Sequence, residues 1–322
     1  MRYLTRMSDT AVDVVVCPPE LRADAIALAL CELAPSQRRE IGRDVLLPLD
    51  GTRSNAADGL FVALRGAQLR GATWGQFQPG NTAVFWPPRL DAGENESPTS
   101  ARLTEAALSV LDKAGVAMTQ VLLPAQDAPE AQLLKKFGFR YLTDLVYLTC
   151  EKGKFASESP TADDLHFEPY TESQCARLMQ LTEATYEGTL DCPGLDGERR
   201  IIDVIDGYQA TGTFRPSNWL FVRGRLANQS EVVDIGVLLL AEHVESRHIE
   251  LIYMGLIPAA RGRGWGRQIV QHAIKMASCV GSDRVVCAVD AENLPGLAVY
   301  RDTFFETWDR RSIFLRFLNA SH

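Results

Sequence analysis

Six consecutive residues, Arg261-Gly262-Arg263-Gly264-Trp265-Gly266, have the composition of an anion-binding loop. Their glycines permit positive φ angles and leave the backbone free of side chains. An apolar segment ending at Pro258 precedes the loop, and a helical pattern follows it at once, so the loop lies at the positive end of a helix. Successive backbone N–H groups can then converge on one anion. The loop therefore predicts a site for a pyrophosphate or a similar group.

Other loop types fit these residues less well. A Walker A loop would end in Gly-Lys-Ser/Thr, whereas Arg267 and Gln268 follow Gly266. A dinucleotide fingerprint would have its third glycine at Arg267, although Asp290, at the end of the next predicted strand, could act as its ribose-binding acid. An Arg-Gly RNA motif would occur in repeats within a basic segment. A tight glycine turn without a ligand and a dinucleotide site remain as alternatives.

The loop and its surroundings resemble the GNAT N-acetyltransferase superfamily, whose signature is R/Q-x-x-G-x-G/A. Asn293 and Tyr300, seven residues apart in NLPGLAVY, resemble the N-x-x-A-x-x-x-Y helix of that family, with Gly296 in place of the usual alanine. The resemblance covers residues 165–318. It implies acetyl-CoA or another acyl-CoA as co-substrate, no metal, and direct transfer to a small-molecule or peptide amine in a ternary complex.

The resemblance also implies roles for individual residues. Glu250, eleven residues before Arg261, matches the catalytic glutamate, either as the base or as a group that binds the substrate ammonium. Tyr300 matches the tyrosine that protonates the leaving thiolate. An outward, solvated Glu250 and a core Tyr300 are the structural alternatives. The implied cofactor-binding residues are Met254, Gly255, Leu256, Arg261, Gly262, Arg263, Gly264, Trp265, Gly266 and Asn293, with the Leu256 N–H as the donor to the thioester oxygen.

The secondary-structure elements around the loop must position these residues. Apolar periodicity in the second half of the chain predicts strands near 165–170, 218–226, 231–243 and 248–257, helices at 172–187 and 196–211, and then a helix, strand, helix, strand series. Strands that first form a meander and then alternate with helices predict an α/β fold of the mixed, α+β type. We expect a mostly antiparallel sheet flanked by helices.

The two halves of the chain repeat each other at an offset of about 166 residues. The helix at 104–115 aligns with that at 266–281, and the strand at 119–124 aligns with that at 285–290. The repeat predicts two tandem GNAT-like domains.

Their predicted boundaries are 1–152 and 165–322, with a polar linker at 153–164. The first copy has no glycine loop. Its Asp91, Glu94 and Glu96 stand where a pyrophosphate would bind, and they would repel it. The first domain is therefore predicted to be degenerate.

Composition limits the partners of the chain. A formal net charge of −8 over 322 residues argues against nucleic acid or an anionic membrane surface as a partner. The seven cysteines and five histidines show no metal-ligand spacing, so we expect reduced thiols and no metal site. We also expect a cytoplasmic protein, because no apolar run approaches the roughly 18 residues of a membrane span. Both monomer and homodimer remain open.

Two further hypotheses accompany acetyl transfer. A non-catalytic acyl-CoA binding or sensing protein would keep the glycine loop but tolerate the loss of Glu250 and Tyr300. A dinucleotide-binding protein would prefer NAD to CoA. The acceptor pocket is expected in the region of Tyr186 to Tyr208, where acidic residues suit either a cationic acceptor or a solvated loop. These residues are Glu187, Asp191, Asp196 and Glu198.

Overall fold

A computed structural model describes residues 12–33, 35, 38, 41, 59–91, 96–155, 165–227 and 230–318. Residues 156–164 of the predicted linker, Glu94 and the side chain of Glu96 lie outside these ranges. The chain divides into two compact units. The first comprises the residues up to Leu123, Asp127–Tyr141 and the residues from Phe314 onward, and the second comprises Pro124–Gln126 and Leu142–Ile313.

The first unit contains a five-stranded sheet in the order β1 to β5, with the end of the last strand of the chain beside β5. Its strands are β1 (Asp13–Val16), β2 (Leu60–Arg65), β3 (Gln68–Gln78), β4 (Thr82–Leu90) and β5 (Met118–Leu123). Its helices are α1 (Arg22–Ala29), α2 (Glu96–Lys113) and α3 (Glu130–Lys136). Strands β1 to β4 are antiparallel, and β5 is parallel to β4.

The second unit contains a sheet in the order β12-β6-β11-β10-β9-β8-β7. These strands are β6 (Arg140–Glu151), β7 (Leu165–Pro169), β8 (Trp219–Gly224), β9 (Val233–His243), β10 (His248–Leu256), β11 (Arg284–Asp290) and β12 (Glu306–Phe317). The meander from β7 to β10 is antiparallel, β10 and β11 are parallel, and β11 is antiparallel to β6.

Helices pack on both faces of this second sheet. They are α4 (Cys175–Tyr186), α5 (Ile201–Gln209), α6 (Trp265–Cys279) and α7 (Leu294–Arg301). In α6, apolar residues recur every three or four positions from Trp265 to Ala277, and this buried stripe joins α7 in one core. Helices α4 and α5 contribute to a separate core around Trp219 and Phe221. The predicted mixed sheet flanked by helices is confirmed.

The internal repeat is visible in the strand register. In the first unit Thr82 pairs with Met118 where β4 and β5 run parallel, and in the second unit His248 pairs with Arg284 where β10 and β11 run parallel. Both residues of the second pair are displaced from those of the first by the same 166 positions. The first half of the chain is therefore a divergent copy of the second.

The last strand of the first copy belongs to the second unit. Residues Leu145–Glu151 of β6 pair with Asp290–Arg284 of β11 along the whole of that strand. Conversely, the end of β12, from Phe314 onward, belongs to the first unit. The compact units thus differ from the sequence copies in their last strands. The division into domains at 1–152 and 165–322 stays a prediction.

One predicted helix starts later than its sequence pattern suggests. Helix α5 begins at Ile201 rather than near residue 196. Gly197 has φ +76, a left-handed conformation that no α-helix accommodates. In the part of the chain that the structure describes, no helix is both long and apolar enough to cross a membrane.

Candidate active site

A cleft opens where strands β10 and β11 separate. Their parallel pairing covers only His248–Glu250 and Arg284–Val286 among the described residues. Beyond this point β11 remains paired with β6 on its other edge, and β10 remains paired with β9. The facing edges of Leu251–Leu256 and Cys287–Asp290 are therefore left without a ladder between them. Such open edges can bind an extended ligand through backbone hydrogen bonds.

The edge of β10 presents backbone donors to this cleft. The Ile257 N–H donates to the Ile235 carbonyl at 2.9 Å, which fixes the hydrogen-bonding phase against β9. Because the two edges of a strand are served by alternate residues, the N–H groups of Met254 and Leu256 point away from β9, into the cleft. A bulge at Ile252 precedes them and changes the phase of the strand.

The glycine loop follows directly from this edge. Gly262 and Gly264 adopt φ +73 and +76, and a Cβ at either position would meet no heavy atom within 4 Å. Gly264 is the N-cap of α6, and within the described residues no side chain caps that helix. The first N–H groups of the helix therefore have no acceptor among the described residues, and Gly264 itself is exposed. This arrangement fits a pyrophosphate bound by the amides of Arg263, Gly264, Trp265 and Gly266.

Arg261 uses its side chain to hold the loop in place. Its Nε donates to the Leu256 carbonyl at 3.0 Å, and its two terminal nitrogens donate to the carbonyls of Gly188 and Thr185 at 2.9 Å each. The guanidinium thus ties the end of β10 to the C-terminal end of α4, where a cation is favoured. The Arg261 guanidinium is therefore bonded to protein carbonyls, and only the backbone of this predicted cofactor-binding residue is left to contact a cofactor.

Gly255 makes close packing of α4 against β10 possible. A Cβ at this position would lie 2.5 Å from Thr185 Oγ1 and 2.6 Å from the Tyr253 hydroxyl. Those two oxygens are hydrogen-bonded to each other at 2.7 Å. Any larger residue would have to displace this pair. Close packing of Thr185 and Tyr253 at the wall of the cleft thus requires a glycine at position 255.

Glu250 is held by a histidine of the neighbouring strand. Its Oε2 lies 2.8 Å from His243 Nε2, and its side chain is 36 % exposed. The His243 ring stacks on that of His248, with centroids 4.3 Å apart. Burial, reinforced by the neighbouring His243 and Arg284, lowers the pKa of His248 to about 4.

These three residues form a cluster that the sequence did not indicate. Their candidate ligand atoms on Glu250, His243 and His248 lie within 4.8 Å of one another. The histidines lie on two strands joined by a hairpin, so only the hairpin register brings them together. The planes of the two rings are within 11° of parallel, so their in-plane lone pairs do not converge on a common point. The two histidines therefore serve to position the Glu250 side chain rather than to bind a metal with it.

Tyr300 lies in the core beneath the cleft. It is only 5 % exposed and packs edge-on against Phe305. Burial, followed by the neighbouring Cys287 and Asp191, raises its pKa well above the usual value, so the phenol stays protonated. Burial likewise raises the pKa of the Cys287 thiol, and this disfavours a covalent route through a thiolate.

The end of β11 is occupied by groups of the chain itself. Asp290 accepts hydrogen bonds from Thr143 Oγ1 at 2.7 Å and from the Cys192 N–H at 3.0 Å, and it is 1 % exposed. Asn293 caps α7 by accepting from the Gly296 N–H at 3.0 Å. The fully used carboxylate of Asp290 is unsuited to bind a ribose. This removes the observation that supported the dinucleotide interpretation.

A pocket of about 300 Å³ adjoins the cleft. Its walls come from β10 at Ile252 and Tyr253, from α4 and α5 through Tyr186 and Tyr208, and from the loop between these helices. The Tyr186 and Tyr208 hydroxyls are 3.2 Å apart, and the Tyr208 and Tyr253 rings stack with centroids separated by 5.6 Å.

Asp191 forms one end of this pocket. Its Oδ1 accepts the Asp290 N–H at 2.9 Å, so the carboxylate is fixed to the free edge of β11. Burial, with a further contribution from the charge of Asp290, raises the pKa of Asp191. Sequence reasoning placed Asp191 only among four acidic loop residues. Its contact with Asp290 joins residues 99 positions apart, and no local pattern signals it.

The first copy lacks the corresponding chemical groups. At the 166-residue offset that the strand register gives, Val84 occupies the position of Glu250 and Leu134 that of Tyr300. Arg89, near the end of β4, forms ion pairs with Glu130 and Glu32. The described part of the first unit therefore places ion-paired and apolar residues where the second has its candidate site.

The structure thus brings most of the predicted site residues to one cleft. The residues from Met254 to Leu256 and those from Arg261 to Gly266 form one wall and one end. Glu250 lies where the strands begin to part, and Asn293 and Tyr300 belong to α7 and its cap on the β11 side. Their functional roles stay predictions.

Comparisons with known proteins agree with this architecture. Residues 205–304 match the sequence model of the Acetyltransferase (GNAT) family. No curated protein sequence matches the chain significantly.

Solved structures resemble it at low identity, which establishes the fold alone. A GCN5-related N-acetyltransferase from Sphaerobacter thermophilus aligns with a TM-score of 0.63 and 15 % identity, covering 97 % of both chains. A GCN5-related glucosamine N-acetyltransferase region of a fungal multi-domain GH3 β-N-acetylglucosaminidase aligns with a TM-score of 0.61 and 15 % identity, over 95 % of this chain and 38 % of the other. A tandem GNAT protein from the clavulanic acid biosynthesis pathway aligns with a TM-score of 0.55 and 13 % identity, over 97 % of this chain and 100 % of the other.

Proposed function

We propose that the chain transfers an acetyl group from acetyl-CoA to the amino group of a small molecule or peptide, because residues 205–304 match the sequence model of the Acetyltransferase (GNAT) family. One observation carries the proposal. The free edge of β10, which ends at Leu256, is followed after one short turn by the glycine loop and the uncapped N-terminus of α6. An extended arm ending in a pyrophosphate is complementary to this surface.

The residues of the second unit would hold acetyl-CoA in two ways. Backbone groups of the free β10 edge, the Met254 N–H among them, would pair with its pantetheine arm, as an added strand would pair. The loop amides from Arg263 to Gly266 would bind the pyrophosphate at the helix N-terminus. Arg261 would keep both surfaces in register through its bonds to Leu256 and α4. Asn293 would contact the arm from the cap of α7.

The transfer itself requires three further contributions from the chain. When bound, acetyl-CoA supplies the thioester. The Leu256 N–H would polarise its carbonyl oxygen. Glu250, supported by His243, would accept the proton that the attacking amine loses. Tyr300, protonated at neutral pH, would donate its proton to the departing thiolate.

A non-catalytic acyl-CoA binding protein is the second candidate. The burial of Tyr300 favours it, because this residue is 5 % exposed within a complete core. Such a protein would use the same loop and the same edge of β10. It would release no CoA in the presence of any amine.

Thermal unfolding tests the cofactor site directly. A ligand that binds only the folded state raises the melting temperature, so we expect acetyl-CoA and CoA to raise it and NAD to leave it unchanged. Gly264→Glu should abolish the shift by placing a negative charge in the loop.

Gly281→Glu is the matched control, because Gly281 has φ +74 and open space for a Cβ but lies beyond the other end of α6. Equal acetyl-CoA shifts in both variants would refute the loop assignment.

An amine screen with free-thiol detection tests transfer. Release of CoA that depends on an amine would support the enzyme over the binding protein. The proposed residues act without a metal, so dialysis against EDTA should leave the rate unchanged. A loss of activity that Zn²⁺ restores would indicate a metal site, for which His243, His248 and Glu250 are the candidate ligands.

A further inference from the structure

The pocket beside the cleft has two kinds of lining that suit an amine. Among the described residues that line it, the carboxylates are those of Glu183, Asp191 and Asp196, and the cation is that of Arg199. Tyrosine rings and aliphatic side chains form most of the remaining lining, among them Tyr208, Tyr253 and Val204. Aromatic faces and carboxylates together attract a cation that has an apolar body. A volume of about 300 Å³ lies at the lower end of the range for small-molecule sites.

Asp191 differs from the other two acids in how it is held. The Asp290 N–H fixes one of its oxygens at 2.9 Å, and the neighbouring Cys192 N–H donates to Asp290 Oδ2 at 3.0 Å. This reciprocal pair anchors the loop between α4 and α5 to the end of β11. Asp196, in contrast, is exposed. The Asp191 carboxylate is therefore held at the point where the pocket meets the cleft.

Two neighbours indicate that this point is close to the reaction centre. Asp191 accepts the Asp290 N–H at 2.9 Å, at the end of the strand that also carries Cys287. After the larger effect of burial, the charge of Asp191 contributes to the raised pKa values of Cys287 and Tyr300. Ile252 and Tyr253, which line the pocket, come immediately before the N–H donors of the cleft edge. A ligand in the pocket could thus present one end to Asp191 and to the cleft together.

We infer that Asp191 binds the ammonium group of the acceptor, and that the acceptor is a small primary amine whose slender apolar body packs against the tyrosine rings that line the pocket. This rests on the proposed acetyl transfer and names its substrate class. Asp191 acts here as the residue that selects and orients the amine. Proton removal stays with Glu250, on β10.

Binding of simple probes tests the inference before any natural acceptor is known. The probes are 2-phenylethylamine and n-hexylamine, each paired with the alcohol of the same shape, measured by calorimetry at pH 7 on protein with and without saturating CoA. We expect the wild type to bind each amine at least about tenfold more tightly than its alcohol, because the alcohol cannot replace the charge next to Asp191.

Asp191→Asn should remove this preference for the amine while folding normally, because its amide oxygen can still accept the Asp290 N–H. Asp196→Asn, at the same pocket but without that anchor, should keep most of the preference. An unchanged acetyl-CoA melting shift in Asp191→Asn would show that the cofactor site is intact.

Three results would overturn the inference: equal binding of amine and alcohol by the wild type, an unchanged preference in Asp191→Asn, or no binding of any probe. Tighter binding of a short peptide with a free N-terminus than of both amines would reject the substrate class. Failure of acetyl-CoA to bind the wild type would instead reject the proposed function, and the amine preference would still be measured independently.

Discussion

His243 Nε2 lies 2.8 Å from Glu250 Oε2, and this contact places an imidazole directly behind the candidate base of the reaction. The two residues belong to neighbouring strands of one hairpin, in which Glu250 pairs with Ala241. Replacement of either residue therefore leaves the ladder intact. This makes the pair suitable for a test of chemistry rather than of folding.

Glu250→Gln should lower kcat by about a hundredfold or more, because an amide cannot accept the proton of the attacking amine. The KM for acetyl-CoA should change little, since the residue lies outside the loop. Steady-state kinetics with any amine found by screening would measure both. Glu242→Gln is the control, because Glu242 is next to His243 in sequence but pairs with Arg215. An unchanged kcat in Glu250→Gln would show that Glu250 is not the base of the reaction.

Tyr300→Phe should also reduce kcat by about a hundredfold, because it removes the proposed proton donor to the thiolate. Its free energy of unfolding should remain within about 1 kcal/mol of the wild type, since a thiol is only a weak hydrogen-bond partner for the lost hydroxyl. Kinetics and urea unfolding of the same preparation separate the two effects. Full activity in the variant would make Tyr300 a core residue alone.

Arg261→Lys should destabilise the protein by about 2 kcal/mol and raise the KM for acetyl-CoA severalfold. An ammonium group cannot reproduce the planar fork that bonds three carbonyls at once. Arg301→Lys is the control, because that side chain is 79 % exposed. If both variants bind acetyl-CoA as the wild type does, the loop does not depend on this guanidinium.

A chain that starts at residue 165 should fail to bind acetyl-CoA. It lacks β6, so the edge of β11 from Arg284 to Asp290 would lose its antiparallel partner. A chain that starts at residue 140 retains β6 and should recover the melting shift with acetyl-CoA. Folding and binding by the shorter chain would support the predicted domain boundary and contradict a structural role for β6.

Stability should fall as the pH decreases from 6.5 to 4. Burial lowers the pKa of His272, which stacks on Phe167, from 6.5 to about 4, so the unfolded chain binds more protons in this range. Its effect on the free energy of unfolding is absent above pH 6.5 and complete below pH 4. His272→Phe should preserve the stack and reduce the slope by up to about 1.4 kcal/mol per pH unit. An equal slope in wild type and variant would show that His272 does not titrate in this way.

The sequence alone determined the glycine loop, the order of strands and helices in the second half, and the repeat at 166 residues. These are local or periodic signals. Glycine spacing predicts the turn, and apolar periodicity predicts each helix or strand. The repeat is visible because the same order of elements occurs twice along the sequence. Glu250, Asn293 and Tyr300 were selected through the resemblance to the GNAT family, because they match positions of its motifs.

Only the tertiary structure decided which groups surround those residues. The hairpin register joins His243 to Glu250, β6 comes from the first copy to complete the sheet of the second unit, and Asp191 reaches Asp290 across 99 positions. Such contacts form because distant segments bury apolar surface together and must then pair the polar groups that remain. No short stretch of sequence encodes that outcome.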